Sequence, residues 1–172
     1  MKRVVVILIL ALVVAFSVGV ASEPFFGNRG CKGCQDDSAR AELQEALSGA
    51  DAFYYGNRSY SGIYDGSGVS TIGDIVLGLS FVSGQPSTGR TVISLATSPR
   101  AGWLVMAAYA NEARNCFIVI ELKRKQTRPV AGESDRSPGV FYGVIRDANA
   151  TACTASVNMA GTGYSSSGWH GS

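Results

Sequence analysis

The hydrophobic pattern changes from a continuous apolar run at the N-terminus to periodic segments after it. Val4 to Ala21 form a run of 18 residues without a charged side chain, and Lys2 and Arg3 precede it. A basic start, an apolar run and small residues before Ser22 are typical of a secretory signal or an uncleaved anchor. We therefore predict that residues 1–22 are a signal sequence or an N-terminal membrane anchor. Because the basic residues precede the apolar run, we expect the rest of the chain to lie outside the cytoplasm.

Residues 36–55 show the clearest helical periodicity. Their apolar side chains recur at steps of three and four residues: Ala39, Leu43, Ala46, Leu47, Ala50, Phe53 and Tyr54. This spacing predicts an amphipathic helix. Asp36, Asp37 and Ser38 are the expected caps of its N-terminus, and Gly56-Asn57 its expected end.

The second half of the chain alternates between short β-rich runs and turns that contain Gly or Pro. A helical turn is predicted at 71–79, and strands at 79–82, 91–97, 102–110, 116–122, 139–146 and 153–157. No long helix separates these strands. The order predicts an α+β fold in which an antiparallel β-meander packs on one helix, within a unit at 23–157. Residues 158–172 are rich in Gly and Ser and are predicted to be a flexible tail.

The charge balance argues against nucleic acid as a partner. The chain has 15 Lys and Arg against 13 Asp and Glu, and Lys2 and Arg3 account for the difference. Without them the remaining chain is neutral, so nothing in its net charge favours binding to a polyanion.

The four cysteines, Cys31, Cys34, Cys116 and Cys153, are the main candidates for chemistry. In an exported chain an even count favours disulfides, and four cysteines allow three connectivities. We favour Cys31–Cys34 with Cys116–Cys153, because the first two are close in sequence and the second two flank one C-terminal region. The motif CKGC is also found in redox proteins, but the strand that such a site requires before the motif is not predicted here. A zinc site would need a second close pair.

No other pattern indicates catalysis. The only histidine, His170, lies in the predicted tail, and the acidic pairs Asp36-Asp37 and Glu133/Asp135 are expected at a helix start and in a polar loop. The run Lys123-Arg124-Lys125 reads as a solvated strand end. We therefore predict that the protein is not an enzyme and that it binds no metal or cofactor.

Taken together, several segments resemble the type IV pilin and pseudopilin family. Residues 24–29 (PFFGNR) are similar to the segment where the family's apolar half-helix meets the soluble half. Residues 37–47 (DSARAELQEAL) and 53–62 (FYYGNRSYSG) are similar to the helix and the loop that follow. Cys116 and Cys153 match the family's C-terminal disulfide pattern. The family's Gly-terminated leader and following Glu are not found, and Ile7 stands at the position of the Glu.

The resemblance implies a pilin-like fold with a long N-terminal helix whose apolar half lies in the membrane or in a filament core. It also implies a non-catalytic subunit of a type IV pilus or related secretion filament, with other pilin-like subunits as partners and the head at the cell surface. Two alternatives stay open. One is a secreted or membrane-anchored binding module that uses the 56–69 and 123–138 loops, and the other is an extracytoplasmic thiol-disulfide protein that uses Cys31 and Cys34.

Overall fold

The computed structural model describes residues 31–64, 71–98, 100–132, 137–156 and 163–169. The predicted signal or anchor at 1–22 lies outside these residues, as does the segment that resembles the pilin half-helix junction. Within the described ranges, no helix combines the length and the apolar character that a bilayer span requires.

The first helix, α1 (Lys32–Asn57), begins four residues before the predicted one. Cys31 is its N-cap, because the sulfur of Cys31 accepts a hydrogen bond from the backbone N–H of Cys34 at 3.2 Å. The predicted cap Asp36 lies inside the helix instead, where its carboxylate accepts two hydrogen bonds from the side chain of Asn115. The helix ends where Arg58 adopts a left-handed conformation, with φ of 57°, and donates its N–H to the carbonyl of Tyr54.

Five strands follow a short helix, α2 (Thr71–Ile75). They are β1 (Ser80–Ser83), β2 (Val92–Ser98), β3 (Trp103–Ala110), β4 (Asn115–Leu122) and β5 (Gly139–Ile145), and they form one sheet in the order of the sequence. The strands β2 to β5 are antiparallel neighbours, whereas β1 pairs with β2 in parallel, with Ser80 opposite Val92.

The predicted fold class is therefore wrong. The sheet is mixed rather than an antiparallel meander, and the only long helix among the described residues, α1, is amphipathic rather than apolar. A pilin-like fold is not found. The Gly- and Pro-containing link at 83–90 predicts a hairpin between two antiparallel strands. Instead, the link returns the chain to the start of β1, so that β2 begins beside it and runs in the same direction. The hydroxyl of Ser94 donates to the carbonyl of Gln85, and the hydroxyl of Ser87 accepts the N–H of Tyr109, which hold this return in place.

Both faces of the central strands are covered. One face carries Leu104, Met106, Phe117 and Val119 against the buried side of α1. The opposite face carries Val105, Ile118 and Ile120 against the segments around Val130 and Cys153. Burial on two faces explains why β3 and β4 are apolar at almost every position instead of alternating.

The described part of the C-terminal segment lies on the edge of the sheet. Ser165 and Tyr142 of β5 exchange two backbone hydrogen bonds of 2.9 and 3.0 Å. Trp169 then packs against Phe117 and Tyr142, with ring centroids 6.1 and 4.6 Å away. Within the predicted flexible tail at 158–172, Ser165 thus pairs with β5 and Trp169 packs on the sheet beside it. Residues 153–156, where the last strand is predicted, are not part of the sheet.

Candidate functional site

The most concentrated polar chemistry among the described residues lies where α1 meets the end of β4. Asp51 is on α1, and Tyr60 is in the loop after it. Glu121 is the second-last residue of β4, and Lys123 follows the strand directly. We refer to these four residues as the ionic cluster. The helix and strand bring together residues that are 61 and 72 positions apart in the chain.

Lys123 is the centre of the ionic cluster. Its ammonium contacts Oδ1 of Asp51 and lies 2.5 Å from Oε1 of Glu121. The hydroxyl of Tyr60 donates to the other oxygen, Oε2, of Glu121. Both carboxylate oxygens of Glu121 therefore have a donor, which is the condition for keeping a carboxylate in the interior.

Burial and hydrogen bonding shift the pKa values of three residues of the ionic cluster, Glu121, Tyr60 and Lys123. Burial raises the pKa of Glu121, and the hydrogen bonds from Lys123 and Tyr60 oppose this shift only in part. It also raises the pKa of Tyr60, with a further contribution from the charge of Glu121. For Lys123, burial alone would lower the pKa, but the hydrogen bonds to Asp51 and Glu121 outweigh it and the pKa is raised.

Two tyrosine rings complete the surroundings of the ammonium. The Nζ atom of Lys123 lies 5.0 Å from the ring centroid of Tyr54 and 5.2 Å from that of Tyr55. These distances are within the range of cation–π attraction. Among the nearby tyrosines, Tyr60 is buried, whereas Tyr55 remains 67% exposed and forms the outer edge of the site.

Sequence reasoning missed the ionic cluster. Lys123 was expected as part of a solvated basic run, yet its side chain is only 15% exposed. The available signal is Glu121, a single charged residue at the end of the apolar run CFIVIEL. A charge inside such a run is rarely buried without a partner, so its position predicts a buried cation nearby.

The predicted disulfide residues lie at two separate places. Cys31 and Cys34 are paired at the start of α1, and Cys116 of β4 is paired with Cys153 after the strands, with Cα atoms 5.2 and 5.4 Å apart respectively. These are the pairs favoured from the sequence, and a digest without reduction tests this connectivity. The ionic cluster lies towards the other end of α1 from Cys31 and Cys34, and at the other end of β4 from Cys116.

A small aromatic cleft lies at the β5 edge. It has a volume of about 250 Å³ and is lined by Tyr142, Gly143, Val144, Gly163, Tyr164, Ser165 and Trp169. The hydroxyl of Tyr164 donates to the carbonyl of Ala131, so the cleft adjoins the loop that follows β4. Gly143 is required here, because a Cβ atom at this position would lie 2.7 Å from the ring of Tyr164.

Three of the polar residues weighed in the sequence cannot be placed relative to these sites. His170, Glu133 and Asp135 lie outside the described residues. Within the part of the chain that is described, no group of three or more His, Cys, Asp or Glu side chains is arranged to hold a metal ion.

No protein-family model matches the chain, and no curated protein or solved structure is similar to it.

Proposed function

We propose that this chain is an exported, non-catalytic structural protein that presents its folded part outside the cytoplasm. The observation that carries the proposal is the pairing of all four cysteines, one pair of which joins the central strand β4 to the C-terminal region. Disulfides form and persist in oxidising compartments and are rare in the cytosol. The basic residues and the apolar run at the N-terminus are consistent with the same route.

The arrangement of the ionic cluster supports a structural role. Glu121 and Lys123 are bonded to each other and to Tyr60 and Asp51, so their charges hold α1 on the sheet. Membrane attachment through the N-terminal segment and assembly with other subunits into a pilus or secretion filament stay predictions from the sequence. The fold gives no support to membrane attachment or filament assembly, because the prediction of a pilin-like fold is wrong for the described residues.

Cell fractionation of the full chain tests this proposal. We expect the protein in the extracytoplasmic fraction, without free thiols under denaturing, non-reducing conditions. A variant with Lys2→Glu and Arg3→Glu is the matched control, because reversing the N-terminal charge weakens export. Recovery of the unaltered chain in the cytosol with four free thiols would overturn the proposal.

Determining the N-terminus of the mature protein distinguishes a filament subunit from a secreted module. Sheared filaments that contain the intact N-terminus support a filament subunit. A soluble form that begins at Ser22 or Glu23 supports a secreted module and contradicts filament assembly through the apolar segment.

The aromatic cleft favours a second candidate function, a binding module. Clefts lined by aromatic rings with a few polar groups are the usual form of small-ligand sites. Trp169 and Trp103 are the two tryptophans of the chain, so a Trp103→Phe variant reports on Trp169 alone. A saturable change in its fluorescence with soluble oligosaccharides, lost in Tyr164→Ala, would support this function. An unchanged spectrum over the millimolar range would contradict it.

A further inference from the structure

The contact between Lys123 and Asp51 brings together the two groups from which an amide cross-link forms. A primary amine and a carboxyl group from two separate elements lie in direct contact. A second carboxyl group, that of Glu121, contacts the same Nζ atom. An amine, a carboxyl group to condense with it and a third group able to transfer protons are the parts that amide formation requires.

The surroundings restrict access of water to these atoms. The side chain of Glu121 is 5% exposed and that of Lys123 is 15% exposed, whereas Asp51, at 35%, faces the solvent through which a water molecule can leave. The rings of Tyr54 and Tyr55 cover the amine from the outside. The raised pKa of Glu121, caused chiefly by burial, is consistent with such surroundings and makes its carboxylate a better acceptor for a proton of the ammonium.

We propose that Lys123 and Asp51 condense to an intramolecular amide bond, with Glu121 as the group that carries the protons. Glu121 accepts a proton from the ammonium of Lys123, and the free amine attacks the carboxyl carbon of Asp51. Glu121 returns the proton to the departing oxygen, which leaves as water with a second proton from the nitrogen. In sum, one ammonium and one carboxylate become one amide and one water, Glu121 is unchanged, and no oxidant or reductant is needed.

Proximity lowers the barrier to this condensation inside the fold. Well-oriented groups held in contact reach effective concentrations of about 10⁵–10⁸ M. The raised pKa of Lys123 keeps most of the amine protonated, since the hydrogen bonds to Asp51 and Glu121 outweigh the effect of burial. The free amine therefore forms only as Glu121 takes a proton from the ammonium, and we expect a slow reaction whose rate changes little while Lys123 stays protonated.

The cross-link would join α1 to the residue after β4, at the opposite end of β4 from Cys116. Unlike a disulfide, it would survive reducing conditions. The inference does not depend on export, because it needs only the folded chain.

Mass spectrometry of a reduced, alkylated tryptic digest tests the inference. The folded protein is first incubated at pH 7 and pH 9 for several days, with circular dichroism to confirm the fold. We expect a branched product in which residues 41–58 are joined to residues 115–124, because trypsin cannot cleave after an acylated Lys123. Its mass is 18 Da below the sum of the two peptides, the mass of one water.

Matched variants separate the cross-link from other losses of water. Lys123→Arg keeps the charge and the ion pairs but cannot form this amide, so we expect no branched peptide. Asp51→Asn still forms it, with loss of ammonia in place of water. In Glu121→Gln we expect the rate to fall at least 10-fold while the fold is retained. Recovery of the two separate peptides from folded wild-type protein, with cleavage after Lys123, would overturn the inference, as would an 18 Da loss that persists in Lys123→Arg.

Discussion

At the scale of single residues, the contact between α1 and the end of α2 with the following Val76 depends on the missing side chain of Gly49. A Cβ atom at this position would collide with Cγ2 of Val76. We predict that Gly49→Ala destabilises the protein by about 1–3 kcal/mol, because overpacking outweighs the gain of about 1 kcal/mol in helix propensity. Gly56→Ala is the control, since nothing lies within 4 Å of its Cβ position. In urea unfolding the control should gain about 0.5–1 kcal/mol. Stabilisation by both substitutions would contradict the close contact.

The hydroxyl of Tyr60 is the second residue-scale determinant. Tyr60→Phe removes the donor to Oε2 of Glu121 and leaves a buried carboxylate oxygen without a partner. We predict a loss of about 1–3 kcal/mol in the free energy of unfolding. Tyr55→Phe changes the same group at a position that is 67% exposed and should stay within about 0.5 kcal/mol of the wild type. Equal effects of the two substitutions would argue against the bond.

Glu121 makes stability depend on pH with a defined sign. Its folded pKa is raised above the ordinary value of 4.5, chiefly by burial. The folded protein therefore holds this proton more tightly than the unfolded chain does. The contribution of Glu121 is fully present below the unfolded pKa and is lost as the pH rises through the folded pKa.

The matching measurement is urea unfolding between pH 4 and pH 8 for the wild type and Glu121→Gln. We expect the free energy of unfolding of the wild type, relative to that of the variant, to fall as the pH rises from about 4.5. A difference that rises with pH would show that the ion pair with Lys123, rather than burial, controls Glu121.

At the scale of elements, the two disulfides contribute unequally. The Cys116–Cys153 bond closes a loop of 37 residues, and the Cys31–Cys34 bond spans only three positions. Chain entropy predicts about 4 kcal/mol for the long loop and about 2 kcal/mol for the short one. We expect the Cys116→Ser/Cys153→Ser variant to lose more stability in thermal unfolding than the Cys31→Ser/Cys34→Ser variant. An unreduced digest should contain the peptides of Cys116 and Cys153 joined. The reverse order of stabilities, or free thiols in the digest, would contradict this connectivity.

The positions of most strands could be predicted because β-branched and apolar residues mark them directly. The direction of β1 could not, since a link of eight residues with Gly and Pro fits a hairpin as well as a return. The return depends on hydroxyl groups of Ser87 and Ser94, which bond to partners that only the folded sheet supplies. The ionic cluster was missed for the same reason: Lys123 is placed by contacts with a helix 72 residues away.

At the scale of the whole molecule, residues 163–169 close the edge of the sheet. They pair with β5 through Ser165, place the ring of Tyr164 on one side of the sheet and place Trp169 on the α1 side. An unprotected edge strand offers free backbone groups to other chains, so a covering segment limits association. The composition of this segment predicts flexibility rather than a role in covering the edge, because GTGYSSSGWHGS is rich in Gly and Ser and contains only two large aromatic residues, Tyr164 and Trp169.

Removal of the Trp169 anchor tests whether this segment protects the edge. Trp169 packs on Phe117 and Tyr142 and donates its indole N–H to the carbonyl of Ile118 at 3.2 Å. We predict that Trp169→Ala costs about 2–4 kcal/mol, since the lost contacts are those of a partly buried large side chain. Once the segment is released, β5 should pair between molecules, seen as concentration-dependent dimers in size-exclusion chromatography. Leu77→Ala, which removes a side chain that is 82% exposed, should change neither quantity. A destabilised but strictly monomeric Trp169→Ala protein would show that Trp169 supports the core without guarding the edge.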